Sequence, residues 1–121
     1  MSDLHSERPN IIYILGDDHR ADYLACTGHP IVQTPHLDQL AREGTLFTEA
    51  FCTSPACTPS RAGHYTGMWE RTHGINFNSD SSMAPEAWDN SFPMRLKASG
   101  YYLGWVGKNH VPVGEGGYKS G

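Results

Sequence analysis

Two short apolar runs, each followed at once by charged residues, are the feature that most constrains the fold of this chain. The first run covers residues 10–15 and is followed by Gly16. The second covers residues 101–106 and is followed by Gly107. Runs that are apolar throughout are typical of strands covered on both faces. Because helical patterns separate them, they predict parallel strands joined by right-handed crossovers. The expected fold class is therefore α/β, a parallel sheet with helices on both faces.

Three helices are predicted between and around these runs. The first starts after Thr34 at Pro35 and ends at Gly44. The second contains Pro59 in its first turn and ends at Gly67, which puts residue 57 just before its N-terminus. The third is capped by Ser91 and runs to residue 100. Residues 45–51 are β-prone and predict an edge strand or extended loop, and residues 68–90 predict mostly loop.

Composition narrows the class of protein. A length of 121 residues suits one domain, of which residues 1–8 are a polar tail, and 38% hydrophobic with 18% charged residues is typical of a globular chain. The net charge of −4 without a basic run argues against nucleic acid as a partner. The longest apolar run is far shorter than the roughly 20 residues that cross a bilayer, and the N-terminus has no signal-like apolar stretch. We expect a cytoplasmic protein without a membrane partner.

Adjacent acids, Asp17 and Asp18, follow the first predicted strand, and Lys108 and His110 follow the last. In open parallel sheets, ligands bind beyond the carboxyl ends of the strands. Two carboxylates at one point repel unless a cation lies between them, and oxygen ligands favour Ca²⁺ or Mg²⁺. The alternative is structural: one acid caps a turn or pairs with Arg20, and the other is solvated.

The segment Cys57-Thr58-Pro59-Ser60-Arg61 is the most informative stretch of the chain. A helix N-terminus favours an anion, and the planar arginine fork one turn on suits an oxyanion. The phosphate loop of tyrosine phosphatases has five residues between its Cys and Arg, whereas three separate Cys57 from Arg61. Two alternatives stay open, a buried inert Cys57 and a zinc site. The zinc ligands would be Cys26, His29, Cys52 and Cys57.

Taken together and in order, these motifs resemble the N-terminal part of the type I sulfatases. The resemblance runs from about residue 8 to about residue 114 and rests on the acids after the first strand, the C-x-P-S-R segment followed by Thr66-Gly67, and Gly107-Lys108-Asn109-His110. It implies an alkaline-phosphatase-like fold. Residues 9–121 would then be the N-terminal segment of a sulfatase catalytic domain.

The resemblance also implies a chemistry. Cys57 would be converted by a formylglycine-generating enzyme to formylglycine, whose hydrate attacks the sulfur of a sulfate ester and then expels sulfate. Asp17, Asp18 and residue 57 would bind Ca²⁺, with Mg²⁺ as the alternative. Arg61 would steady the hydrate, Lys108 would bind sulfate oxygens, and His110 would hydrogen-bond the hydrate or move its proton. The substrate would be a small sulfate ester or a sulfated glycan.

The chain also departs from the family pattern. Gly63, His64 and Tyr65 stand where small and leucine residues are usual, and Asn109 stands where tryptophan is common. Family members are several times longer, so we expect the 121 residues by themselves to be an inactive, incomplete part of the enzyme. Two other functions remain open: a phosphoester or phosphonate monoester hydrolase of the same superfamily, and an inactive truncated remnant.

Overall fold

A computed structural model describes residues 8–77 and 82–114 of the chain. Within these ranges the regular structure is helical and divides into two units, Met1–Thr45 and Leu46–Gly121. The predicted polar tail of residues 1–8 lies outside the described residues except for Arg8. The helices of the described ranges are a short 3-10 helix, Ala25–Thr27, and α1 Pro35–Glu43, α2 Cys57–Thr66, α3 Glu70–His73, α4 Pro85–Asp89 and α5 Phe92–Ala98.

The first unit contains α1, which begins and ends as predicted. Thr34 precedes the helix, but its side chain makes no bond to the helix backbone. Its hydroxyl accepts the backbone N–H of Ala25 at 2.9 Å and donates to the Asp38 carboxylate at 2.8 Å. At the other end, a Cβ on Gly44 would lie 3.0 Å from the Leu40 carbonyl oxygen, to which the Gly44 N–H donates. Thr34 therefore joins α1 to the 3-10 helix, and steric crowding requires glycine after α1.

The described part of the first unit buries no side chain. Residues 10–15, the first predicted strand, have no strand partner, and Ile12 and Ile14 are 85% and 80% exposed. Leu40, in the apolar stripe of α1, is 62% exposed. The strand predicted at residues 10–15 is therefore absent, and the contacts that would cover both apolar segments do not form within residues 8–45.

The second unit has a small apolar core centred on α2. Tyr65 is 2% exposed and packs edge-on against Trp88 of α4 and against Trp105, with ring centroids 5.9 and 5.3 Å away. Phe92 of α5 lies at 6.2 Å from the same ring. Aromatic pairs prefer such edge-to-face arrangements. The core therefore fixes the orientation of α2 through one ring. Its buried apolar members are Ala62, Tyr65, Ile75, Met83 and Val111.

One local prediction is wrong, and two hold in part. Residues 68–90 are not all loop, because they also contain α3 and α4, which are too short to carry a readable apolar period; Trp88 of α4 packs against the core. Residues 45–51 form the loop alternative and not the edge strand. Ser91 precedes α5, but its hydroxyl is fully buried and makes no cap bond to that helix. The bounds of α5 itself agree with the prediction.

The predicted parallel sheet does not form within the described residues. Residues 101–106 have no strand partner there, and Tyr102 and Val106 are 98% and 101% exposed. The strand pairing found in these ranges is one isolated parallel bridge between Met83 and Val113. A strand needs a neighbour for its backbone N–H and C=O groups, so an apolar run alone does not make one. No helix within the described ranges is long and apolar enough to span a membrane.

Candidate active site

Cys57 is the first residue of α2, one position further into the helix than predicted. Ala56 precedes it in an extended conformation and accepts the backbone N–H of Ser60 at 3.0 Å. Pro59 is therefore the third residue of α2, where its missing N–H costs nothing because the N–H groups of a first turn have no partner within the helix. Cys57 is half-buried. Its side chain thus stands at the positive end of a ten-residue helix.

Arg61 lies one turn further along α2 and points into the second unit. It is 6% exposed, and its Nη1 donates a hydrogen bond of 2.8 Å to the backbone carbonyl of Lys108. The contact joins residues 47 positions apart in the sequence. The structure therefore brings the C-x-P-S-R segment and the Lys108-His110 segment together, as their shared role in the resemblance requires.

The segment after Lys108 turns sharply into the core. His110 is half-buried and has a φ of +56°, a left-handed conformation that is uncommon for a residue with a side chain. Val111, next in sequence, is 1% exposed, and Pro112 accepts the backbone N–H of Met83 at 2.8 Å. Lys108 itself is exposed. The lysine ammonium therefore belongs to a solvent-facing stretch, and the histidine to a stretch that enters the core.

Asp17 and Asp18 lie in the first unit, immediately after residues 10–16, and both are exposed. Asp18 has a φ of +51°, so the chain turns at the acid pair as the sequence predicts for a strand end. Arg20 forms a two-pronged ion pair with Asp22, at 2.9 and 2.7 Å. This pairing holds the pKa of the Asp22 carboxyl below its usual value, chiefly through the hydrogen bond from Arg20. In the structural alternative, Arg20 pairs with one of the adjacent acids. The guanidinium instead pairs with Asp22.

The residues of the zinc alternative are engaged in local contacts. The Nδ1 atom of His29 accepts the backbone N–H groups of Ile31 and Val32 at 3.2 and 2.9 Å. The thiol of Cys52 donates to the Ser54 carbonyl at 2.6 Å, and the backbone N–H of Cys26 donates to Asp38. These contacts occupy the Nδ1 atom of His29 and the Cys52 thiol, whereas the contact of Cys26 is made by its backbone. The carboxylates of the adjacent acids are oxygen donors of the kind that hard cations prefer.

The opposite side of α2 borders an open cavity of about 320 Å³. Its lining residues in the described ranges include three of α2, spaced at helical intervals, and the Gly67 that follows this helix, together with two exposed aromatic side chains, Phe51 and Trp69. The four candidate catalytic residues are not among them, so the cavity is separate from those residues. The α2 residues that line it are Ser60, Gly63 and His64.

Sequence reasoning missed the partner of Arg61. It assigned the guanidinium to an oxyanion, whereas in the fold its Nη1 atom donates to a backbone carbonyl. No residue type marks such an acceptor, since every residue carries a carbonyl. A departure from the family pattern also finds its place here: Asn109, where tryptophan is common, is half-buried, and its Oδ1 atom has no hydrogen-bond partner among the described residues.

Comparison with known proteins relates the chain to one family. The Sulfatase family model matches residues 9–119. An N-acetylgalactosamine-6-O-sulfatase of Bacteroides thetaiotaomicron is 40% identical over 91% of the chain and 22% of its own length. An ulvan-active sulfatase of Formosa agariphila is 41% identical over 86% of the chain and 20% of its length, and human arylsulfatase D is 36% identical over 88% and 19%.

The chain spans about a fifth of the length of the curated relatives it matches. No solved structure matches it. The family model nevertheless covers all but a few residues at each end, including the acid pair, the start of α2 and the Lys108-His110 segment. On this coverage, the chain belongs to the sulfatase family.

Proposed function

We propose that this chain forms the nucleophile-bearing part of a sulfuric ester hydrolase with an alkaline-phosphatase-like α/β fold. The observation that carries the proposal is the hydrogen bond from Arg61 to the Lys108 carbonyl. It places the segment that bears Lys108 and His110 against the helix that begins at Cys57. Three groups suited to an oxyanion, the N-terminus of α2 and the two side chains of that segment, therefore lie in one unit. Family membership supports the fold and the reaction class.

Each residue has a task in this proposal. Cys57 would be the precursor of formylglycine, whose hydrate would supply one hydroxyl to displace the alcohol from the ester sulfur and would then release sulfate as the aldehyde forms again. The N-terminus of α2 and the ammonium of Lys108 bind sulfate oxygens, where negative charge develops. His110 takes the proton from the attacking hydroxyl or returns it to the leaving alcohol. Arg61, which is buried, holds these groups in position.

The acid pair of the first unit completes the proposed machinery. Asp17 and Asp18, with residue 57, would hold Ca²⁺, and Mg²⁺ is the alternative. The donor chemistry fits, because two adjacent exposed carboxylates suit a hard cation and Arg20 pairs with Asp22. The cation would offset the charge of the sulfate oxygens. Asp17 and Asp18 would hold it in place through their carboxylate oxygens.

The names of the relatives suggest the class of substrate. They include sulfatases named for N-acetylgalactosamine-6-O-sulfate, N-acetylglucosamine-6-O-sulfate and ulvan, and others named for aryl and steryl sulfates. We propose a sulfated carbohydrate as the first substrate to try. A formylglycine-generating enzyme would be the maturation partner.

The test uses the full-length protein, produced together with a formylglycine-generating enzyme. We expect hydrolysis of an aryl sulfate that Cys57→Ala abolishes, while Cys26→Ala and Cys52→Ala retain it. Mass spectrometry of the peptide containing residue 57 should show the aldehyde. Full activity with only unmodified cysteine at that position would contradict the proposal, and preferential turnover of an aryl phosphate diester would favour the phosphoester alternative.

A further inference from the structure

Arg61 is the most deeply buried charged side chain near the candidate catalytic residues. It is 6% exposed and lies on the α2 face that also buries Thr58, Ala62 and Tyr65. Removing a guanidinium from water is costly unless its N–H groups find acceptors. The position therefore demands hydrogen-bond acceptors from the surrounding chain, and the backbone of residue 108 supplies one.

The acceptor is the carbonyl of Lys108, 2.8 Å from Nη1. Hydrogen bonds in which one partner is charged are shorter and stronger than neutral ones. The acceptor belongs to the main chain, so the bond holds the backbone of residue 108 whatever its side chain does. The Lys108 side chain itself is exposed.

The segment beyond this carbonyl has little regular structure to hold it. Residues 108–110 belong to no helix or strand, His110 has a left-handed φ of +56°, and the chain is next anchored at Val111, 1% exposed in the core. The Arg61 bond and the Val111 contact thus hold the two ends of a three-residue stretch. The backbone that carries the two candidate catalytic side chains therefore depends in part on the Arg61 bond for its position.

We infer that Arg61 is a positioning residue for Lys108 and His110, acting through the Lys108 carbonyl. The inference rests on the proposed function for its kinetic part, since that function gives the two side chains their task. It differs from a role in which Arg61 contributes only its positive charge. Charge alone survives in Arg61→Lys, whereas the reach and planar fork that bind the carbonyl do not.

Hydrogen exchange of the full-length protein tests the positional role without any assay of activity. We expect Arg61→Lys and Arg61→Gln to accelerate backbone exchange about tenfold in residues 108–113 and to leave α1 unchanged. Arg95→Gln is the matched control, because Arg95 also donates to a backbone carbonyl, that of Asn90 at 3.0 Å, but from the surface. Unchanged exchange in residues 108–113 would overturn the inference. So would an equal rise throughout the second unit, which would make Arg61 a general stabilising residue.

A double-mutant cycle in kcat/KM provides the second readout. If Arg61 acts through the position of Lys108, then Arg61→Gln should lower kcat/KM at least about tenfold less in a Lys108→Ala background than in the wild type. Additive effects would overturn the inference. A wild-type protein without sulfatase activity would instead contradict the proposed function, and the exchange measurement would still decide the role of Arg61.

Discussion

Different kinds of contact stabilise the interior of each of the two units of this chain. In the second unit, the aromatic rings around Tyr65 enclose a buried core, and a buried arginine reaches a carbonyl 47 residues away. In the described part of the first unit no side chain is buried, and α1 is tied to the 3-10 helix by hydrogen bonds of Thr34 and Asp38.

This difference separates the proposed nucleophile from the proposed metal ligands. The unit with a core contains Cys57, Arg61, Lys108 and His110. The acid pair instead follows residues 10–16, whose isoleucines are largely exposed. The proposed nucleophile and the proposed metal ligands therefore depend on different forces for their positions. Changes in one unit should therefore leave a signature different from changes in the other.

The largest expected effect is on activity, from the acid pair. Asp17→Asn or Asp18→Asn should lower the sulfatase activity of the full-length protein about 100-fold or more, because even residues that merely orient metal ligands are worth roughly 10–100-fold. The exchange rates of the second-unit core should not change. Exhaustive chelation should reproduce the loss, and restored activity on adding Ca²⁺ or Mg²⁺ would identify the cation.

Asp22→Asn is the matched control for the acid pair. It removes a neighbouring exposed carboxylate that is paired with Arg20, and activity should be retained. Equal loss of activity in all three variants would mean that the segment acts through its net charge. Full activity after chelation would contradict the metal site.

The next effect is on stability, from the core. Tyr65→Ala should lower the free energy of unfolding of the second unit by about 3–5 kcal/mol, as for other buried aromatic side chains. Leu40→Ala, in the exposed stripe of α1, should cost about 0.5 kcal/mol or less. Denaturant unfolding followed by tryptophan fluorescence measures the first, and circular dichroism the second. Similar losses in the free energy of unfolding at the two positions would contradict the difference between the units.

A smaller effect is expected at the junction of α1 and the 3-10 helix. Thr34→Ala removes the hydroxyl that accepts the Ala25 N–H and donates to Asp38, at a cost of about 1 kcal/mol. The Ala25 amide should then exchange about fivefold faster in hydrogen-exchange NMR. Thr48→Ala, at an exposed threonine of the second unit, should leave that rate unchanged. An unaltered Ala25 rate in Thr34→Ala would show that the first unit is held by other contacts.

The smallest expected effect is a dependence of stability on pH that arises from a buried histidine of the second unit. His73 is 2% exposed and its Nδ1 accepts the Ile75 N–H at 3.2 Å. Burial lowers the pKa of His73 below its ordinary value of 6.5, and the nearby Glu70 opposes this only in part. The unfolded chain therefore binds a proton more readily, so stability is fully present above pH 6.5 and falls as the pH drops below it.

Thermal unfolding of the full-length protein between pH 8 and pH 5 measures this dependence. His73→Phe should flatten the profile below pH 6.5, because it removes the titrating ring. His64→Gln, at an exposed histidine of α2, should leave the profile unchanged. A profile that is identical in the wild type and in His73→Phe would contradict the role of His73.

Much of the local structure could be predicted from the sequence. Pro35 and Gly44 correctly bounded α1, and Gly67, whose φ of +67° suits glycine, ended α2 as expected. The resemblance carried by the C-x-P-S-R segment was confirmed as family membership. The short helices α3 and α4 could not be predicted, because packing holds them and not a periodic pattern.

The sequence alone determined the bounds of α1, the end of α2 at Gly67, the order of the chemically active residues and the family. These depend on neighbours in the chain: a proline that cannot donate, a glycine that avoids a clash, a motif of fixed spacing. Only the tertiary structure decided that Arg61 binds the Lys108 carbonyl, and that residues 10–15 and 101–106 pair with no strand in the described ranges. Backbone acceptors are the same in every residue and strands exist only in pairs, so both outcomes depend on which distant segments meet.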